Sequence, residues 1–567
     1  MDRKVSLIAA LAGTFLAACG SGDINIDPQT NVVDSNNTVN NGGGSSADDA
    51  CASYVANGQT VQGAADGNGN CTYGASFVGP KNNLTVDLLL PKLDNGGAHI
   101  FTSSLFVGET YRTNADLQAA GISEGGDGPT LTIEAGTTLA FQTNKDFMII
   151  NRGSQILANG TSDEPITITS VSDLNGTVGP EDVQQWGGIV INGFGVSNKC
   201  SYVGTRGDAG FSLDPANPEC HIEAEGSAGD DESQYGGDND DDDSGILRYV
   251  VVKHTGAEVG NGDELNGISF GGVGRGTVVE NLQVYSTFDD GVEFFGGSVD
   301  VTNLVAVYAR DDSIDIDEGY DGAITNALVI QNETDGNHCI EADGLGSYSS
   351  LDQATKDDFI ARGLNSRPTI SNLTCIVSAN INGTHDPGAG WRFREGIWPT
   401  VNDSLVIASF GPNDTTDADD NYCLRIDNAE TQAAAEAGDL QLNSVIFSCA
   451  EAEKGNAFPG GDTERSFAEG AGNQFATVAD GSCVNPTPAT DADLQLLDGV
   501  QPVFSIAHAS SFVDGAAPLA STTPTAGTYL GALESGGSDW TSPWAFGISA
   551  DNTGQPLWIE SVPANCP

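Results

Sequence analysis

The chain runs to 567 residues and carries 79 acidic against 21 basic side chains, a formal net charge of −58. That balance excludes a nucleic-acid partner, since phosphate binding needs Lys and Arg in excess on one face. It also disfavours docking on anionic headgroups through a basic patch. The 73 Gly, against two Met, mark a turn-rich composition suited to strands, on a chain long enough for a large core.

Residues 1–18 begin with Arg3 and Lys4 and continue as an apolar run from Val5 to Ala18. The run is too short to cross a bilayer as a helix and reads as a signal peptide. Its end, Leu16-Ala17-Ala18-Cys19-Gly20, resembles a bacterial lipobox. The resemblance implies cleavage before Cys19 and lipidation of its thiol, a stable membrane anchor. Gly20 in place of Asp implies sorting to the outer membrane. No later segment is apolar enough for a transmembrane helix. Residues 19–50, rich in Asn, Gly, Ser and Asp, read as a flexible tether, and 51–127 as an irregular N-terminal cap.

Of 11 Cys, ten remain once Cys19 is set aside, an even number that suits an exported, disulfide-bonded protein. Pairing neighbours in sequence gives Cys51–Cys71, Cys200–Cys220, Cys339–Cys375, Cys423–Cys449 and Cys483–Cys566. No CxxC or Cys/His cluster points to zinc.

From Thr130 the chain becomes short alternating strands broken at Gly, Asn and Asp, as in Thr130–Leu139, Phe147–Ile150, Ile156–Gly160 and Pro165–Ser170. An internal repeat then emerges over Gly276–Gly297, Gly297–Gly319 and Gly322–Gly344. Each copy holds an aliphatic residue two places before an Asn: Val279/Asn281, Val301/Asn303 and Ile324/Asn326, at spacings of 22 and 23. Ile370/Asn372 follows 46 later, read as two repeats, and Val401/Asp403 and Gln441/Asn443 read as looser members. One such unit cannot bury its own apolar face, but stacked coils share a core, so the pattern predicts an all-β, right-handed parallel β-helix over 128–482. Equivalent Asn would then lie one strand spacing apart and form a ladder at the bend by hydrogen-bonding the backbone of the next coil. Residues 483–567, with Trp540, Trp544 and Trp558, are expected to cap the open end of the stack.

The strings Trp186-Gly187-Gly188-Ile189-Val190-Ile191-Asn192-Gly193, Gly245-Ile246-Leu247-Arg248-Tyr249-Val250, Ser269-Phe270-Gly271-Gly272-Val273-Gly274 and Asp289-Asp290-Gly291-Val292-Glu293-Phe294-Phe295-Gly296-Gly297 resemble a group of bacterial surface lipoproteins. The resemblance covers roughly 128–450 and implies a right-handed parallel β-helix at the cell surface, without an assigned reaction.

Aligned on their Asn, the coils expose a column of charge. Glu293, Asp315 and Glu341 each sit between two inward apolar residues, so strand alternation points all three outward on one face. Asp317 and Asp343 stand two residues further along the same strands, and Phe393-Arg394 and Leu424-Arg425-Ile426 place Arg near the same file. Carboxylates one rung apart raise each other's pKa or recruit a hard cation; an all-oxygen set of Glu293, Asp315, Asp317, Glu341 and Asp343 suits Ca²⁺. Carboxylate pairs also suit glycoside hydrolysis. Asp290, Asp311, Asp312, His338 and Arg392 or Arg394 follow an order similar to that of β-helix polygalacturonases, which implies a catalytic set of Asp290, Asp311, Asp312, His338 and Arg394. The Gly-His-Gly, Arg-Ile-Lys and Asn-Thr-Asp motifs of those enzymes are missing. Polysaccharide lyases of this fold, which hold Ca²⁺ on acids and use Arg as base, are a further analogy.

The Asp230–Asp243 run reads as a solvated loop or a second Ca²⁺ locus, His221 and His254 as isolated satisfied or exposed histidines, and Trp391, Trp398 and Tyr320 as sugar platforms or packing. Three functions follow: a surface lipoprotein whose acidic wall binds divalent cations or a ligand as an adhesive module; an extracellular polysaccharide hydrolase or lyase; or an acidic surface adapted to high salt.

Overall fold

Long strands in this chain turn a corner at a residue whose backbone is left-handed. In the computed structural model Asn281, Asn303, Asn326 and Asn372 have φ of 56°, 61°, 56° and 57°. Asn tolerates this conformation better than most side chains because its short amide hydrogen-bonds locally. The bend lets aliphatic residues on both sides of it, such as Val279 and Leu282, point into one core. The structure describes residues 50–227, 232–259, 263–332, 335–378, 388–407, 422–448, 451–475, 477–478, 512–514, 517–518, 525, 529–534 and 538–548. Cys19, the leader and nearly all of the tether lie outside them.

Successive coils pair in parallel, in the register Val279–Val301–Ile324–Ile370–Val401–Leu442. The molecule is a right-handed parallel β-helix. Inside it, equivalent rings stack, with Phe270 and Phe294 centred 5.4 Å apart and Phe294 and Tyr320 4.4 Å apart. The Asn ladder forms side chain to side chain rather than side chain to backbone: Asn303 Nδ2 donates to Asn281 Oδ1 at 2.9 Å, and Asn326 Nδ2 to Asn303 Oδ1 at 3.1 Å.

Three readings of the repeat change. The 46 residues from Ile324 to Ile370 are one coil, since these residues pair directly; the extra length is an insertion that includes the helix Gln353–Ala361. The last member is Leu442/Ser444 rather than Gln441/Asn443, because Leu442 enters the core and Ser444 carries the φ of 59°. Parallel pairing also begins before residue 128. Leu88–Leu90 pairs with Thr130–Ile133, Ala98–Phe101 with Thr138–Phe141, and Leu105–Val107 with Met148–Ile150.

One wall of the helix is a sheet of ten strands, Leu105–Val107, Met148–Ile150, Ile189–Asn192, Ile268–Gly271, Val292–Phe295, Ile314–Asp317, His338–Asp343, Ala389–Arg394, Tyr422–Ile426 and Glu451–Glu453. A long insertion after Ile189–Asn192 folds back over this wall as two small hairpins, Tyr202–Val203/Ser212–Leu213 and Ile222–Glu223/Gln234–Tyr235. Arg206 pins the insertion, gripping Asp240 with two nitrogens at 2.7 Å each and donating to the carbonyls of Gly297 and Gly319. Asp240 and Asp242 thus stitch the acidic run to the coils, while Asp238, Asp241 and Asp243 remain exposed. Asp242 is buried and accepts from the backbone of Gly125 (2.7 Å) and Phe194 (3.1 Å), and burial pushes it up to about 6.

Three expected disulfides are present, Cys51–Cys71, Cys200–Cys220 and Cys339–Cys375. Cys449, Cys483 and Cys566 lie outside the described residues, as does Trp558. Most of the expected C-terminal cap lies outside the described residues. Leu530, Leu533, Trp544 and Ile548 pack on the flank, against the outward residues Val251, Tyr285, Val305, Leu328 and Ile376 of another sheet. Strands there are apolar on both faces, so a covering segment removes from water what the core cannot reach. Among the described residues no helix is long and apolar enough to cross a membrane.

Candidate functional site

Strand alternation drives the geometry of the wall. Val292 and Phe294, Ile314 and Ile316, and Ile340 and Ala342 enter the core, so the residues between them face outward. Parallel register then lines up Ser269, Glu293, Asp315, Glu341, Arg392 and Arg425 in a single file. The expected column of Glu293, Asp315 and Glu341 is real. Arg394 belongs to the neighbouring file, paired with Asp343, and Arg392 takes the place beside Glu341.

The last acidic rung is neutralised. Arg392 reaches Glu341 at 2.9 Å and Asp427 at 3.0 Å; Arg394 reaches Glu341 and Asp343 at 2.5 Å each; Arg425 reaches Asp427 at 2.8 Å. Both oxygens of Glu341 and Oδ1 of Asp343 are thus engaged by guanidinium groups. The earlier rungs have no such partner. Single oxygens of Asp290, Glu293 and Asp315 lie within 4.8 Å of one another, as do those of Asp289, Asp290 and Asp311. No Lys or Arg forms an ion pair with Asp290, Glu293 or Asp315 among the described residues. Burial and then neighbouring carboxylates push Asp290, Glu293 and Asp315 well above the usual range. Asp317, one file over, rises to about 8, mainly through burial.

Asn266 and Glu225, two residues sequence reasoning missed, complete this end. The Asn266 amide donates to Glu225 Oε2 at 2.7 Å and Glu293 Oε2 at 2.5 Å. Glu225 arrives on the insertion, which explains its invisibility to a coil-by-coil alignment. The insertion is held on the wall by Glu318, whose buried carboxylate takes Ser197 Oγ and Tyr235 Oη at 2.7 Å each and pairs with Lys199.

The expected catalytic set divides in two. Asn266, Asp290, Asp312 and His338 occupy one turn on successive coils. Each side-chain oxygen accepts the next backbone N–H, Asp290 N to Asn266 at 3.1 Å, Asp312 N to Asp290 at 2.9 Å and His338 N to Asp312 at 2.6 Å. His338 also places Nδ1 2.8 Å from Asp312 Oδ1 and Nε2 2.7 Å from the Tyr422 hydroxyl. A neutral ring with its proton on Nδ1 satisfies both contacts, and burial pushes His338 down to about 4. Asp311 lies to the side, accepting from Asn337 Nδ2 at 2.8 Å. Arg394 is absorbed by Glu341 and Asp343, apart from Asp290. Tyr422 was unforeseen because an aromatic residue one place before Cys423 looks like ordinary strand packing.

Other candidates resolve as structure. Trp391 and Tyr320 are fully buried, donating to Cys375 Sγ (3.2 Å) and the Val299 carbonyl (2.7 Å), so neither can meet a sugar. Trp398 lies under the Arg367 guanidinium, 4.2 Å from its ring centre. His221 is held between Arg152 and Glu219, and His254 contacts the Asp182 carbonyl.

Among known families, a pectate-lyase-like β-helix domain matches residues 106–482. No curated protein and no solved structure matches the chain.

Proposed function

The chain belongs to the pectate-lyase-like β-helix family, and from that premise we propose a lipid-anchored outer-membrane module whose acidic wall holds a divalent cation, and with it a polysaccharide or other surface ligand. One observation carries this reading: Asp290 and Glu293, both buried, and the half-buried Asp315 bring carboxylate oxygens within 4.8 Å of one another, with no basic partner among the described residues. Three like charges cannot share such a volume unless they bind protons or a cation. The three ligating groups are all carboxylates, with the Asn266 amide donating to Glu293 beside them, and an oxygen donor set favours Ca²⁺ over softer metals. Asp290, Glu293 and Asp315 would hold the ion. When bound it supplies positive charge for an anionic or hydroxyl-rich ligand on an otherwise repulsive wall. The grouping of Asp312, His338 and Glu341 is a poorer fit, since Tyr422 and the arginines already occupy its donors and acceptors. The lipid anchor rests on Cys19 and its flanking small residues.

Calorimetry of Ca²⁺ with the mature chain tests the proposal. Saturable heat and a raised melting temperature are expected, both lost in Glu293→Gln/Asp315→Asn. No heat and no thermal shift would reject the cation site.

A second reading, polysaccharide cleavage, is favoured by the Asp312–His338–Tyr422 chain beside Arg392, which joins a carboxylate, an imidazole and a phenol for proton movement. A polysaccharide panel scored for new reducing ends or unsaturated products tests it. Activity that survives Asp311→Asn/Asp312→Asn would clear those residues of the reaction.

A further inference from the structure

Far from the acidic recess, the corner after the first wall strands forms an open pocket of about 420 Å³, within the range of small-ligand sites, with the Asp87, Glu109 and Asp127 carboxylates at its exposed rim. Leu105–Val107 lies four wall strands before Val292–Phe295, roughly 19 Å along the stack at one strand spacing per coil. Asp87, Glu109, Asp127, Tyr111, Arg152 and Ser154 all line it.

The cavity is built from segments fixed independently of any ligand. Arg152 is 4% exposed and spends its donors on the protein: Nη1 on the carbonyls of Cys220 (2.9 Å) and Gly236 (2.7 Å), Nη2 on the carbonyl of Tyr111 (3.1 Å) and on His221 Nδ1 (2.6 Å). Asp87 Oδ1 takes Thr130 N at 2.9 Å, and Asp127 Oδ2 takes the backbone and hydroxyl of Ser123 at 2.9 Å each. Two groups on the lining remain unused. Ser154 is 1% exposed, and its hydroxyl makes no hydrogen bond among the described residues. The Glu109 carboxylate has neither hydrogen bond nor ion pair among them.

We propose that this corner is a second binding site, for a ligand bearing a primary ammonium group on a compact polar body, either an amino-sugar unit or a polyamine. Three carboxylates against one guanidinium leave the cavity negative, and Arg152 has already spent four of its five N–H donors on the protein. An ammonium group brings both the charge and the N–H donors that Glu109 and Ser154 lack. The Tyr111 ring adds a face for a cation or for sugar C–H groups.

The experiment titrates the mature chain by calorimetry with a glucosamine disaccharide, its N-acetylated counterpart and spermidine, at low and high salt. At least one amine should bind, weaken with salt, and lose roughly tenfold or more in affinity in Glu109→Gln/Asp87→Asn; which amine binds separates the two sources. The acetylated disaccharide should not bind, and Glu293→Gln/Asp315→Asn should leave amine binding unchanged. Circular dichroism establishes that the variants fold. Equal binding of the acetylated sugar, no binding of either amine at millimolar concentration, or binding indifferent to Glu109→Gln/Asp87→Asn would each overturn the proposal.

Discussion

Asp315 and Glu341 stand on adjacent rungs in direct register, yet their carboxylates meet opposite surroundings. Glu341 is bracketed by Arg392 and Arg394, whereas Asp315 shares its space with Asp290 and Glu293. The wall changes from compensated to uncompensated charge over one strand spacing, and that step gives the recess its expected pH behaviour.

Burial and mutual repulsion raise the pKa of Asp290, Glu293 and Asp315, and Asp317 rises to about 8. The folded chain therefore holds more protons than the unfolded chain from about pH 4 up to about pH 8. The sign follows: without divalent cations, this contribution to stability is complete below the lower limit and declines as the pH climbs through the window. Melting temperature in chelator should fall between those limits, and millimolar Ca²⁺ should flatten the decline. Glu293→Gln/Asp315→Asn should flatten it without Ca²⁺; an unchanged slope in that variant would place the titration elsewhere.

Arg394→Ala removes the side chain that joins Glu341 and Asp343. The Arg394 side chain is 26% exposed and both carboxylates 13%, so the cost should lie between the surface and buried limits, roughly 1–3 kcal/mol by denaturant unfolding. The freed Asp343 carboxylate and the released Oε2 of Glu341 should also extend the acidic recess, and calorimetry should show a higher Ca²⁺ stoichiometry than in the parent chain.

Asn303 serves as both donor and acceptor in the bend ladder at a left-handed backbone position. Asn303→Ala should lose roughly 1–3 kcal/mol, from the unsatisfied amides of Asn281 and Asn326 together with the greater cost of a left-handed backbone for Ala than for Asn. Asn303→Gly relieves only the backbone part. Unfolding midpoints should rank parent above Gly above Ala; equal midpoints for the two variants would mean the ladder alone carries the effect.

The fold was legible because a coil repeats its environment: aliphatic residues two before a bend residue fixed the periodicity and hence the file of Glu293, Asp315 and Glu341. Legibility failed wherever an insertion broke the count. The Ile324–Ile370 coil looked like two, and Glu225, delivered by a loop, had no alignable position. Neither Arg394 nor Tyr422 could be placed from sequence, because register across the insertions between strands is set by pairing, which sequence spacing does not encode. In the C-terminal segment the tryptophans signalled a surface to cover, and the described part of it, with Trp544, covers the doubly apolar flank.

The chain from Asp312 through His338 to Tyr422 makes the last prediction. Burial holds His338 at about 4, below the ordinary value near 6.5, so here the folded state binds fewer protons than the unfolded chain. Its stabilising contribution is present above the ordinary value and lost as the pH falls through the window, the reverse of the carboxylate cluster. The His338 ring resonance should therefore keep its neutral position across the physiological range, and a midpoint near the ordinary value would contradict the buried chain. Tyr422→Phe keeps the ring but leaves His338 Nε2 without the hydroxyl it accepts, a buried loss of roughly 1–3 kcal/mol. If the phenol serves only packing and hydrogen bonding, unfolding should report that loss while Ca²⁺ titration stays unchanged, because Tyr422 touches none of Asp290, Glu293 and Asp315.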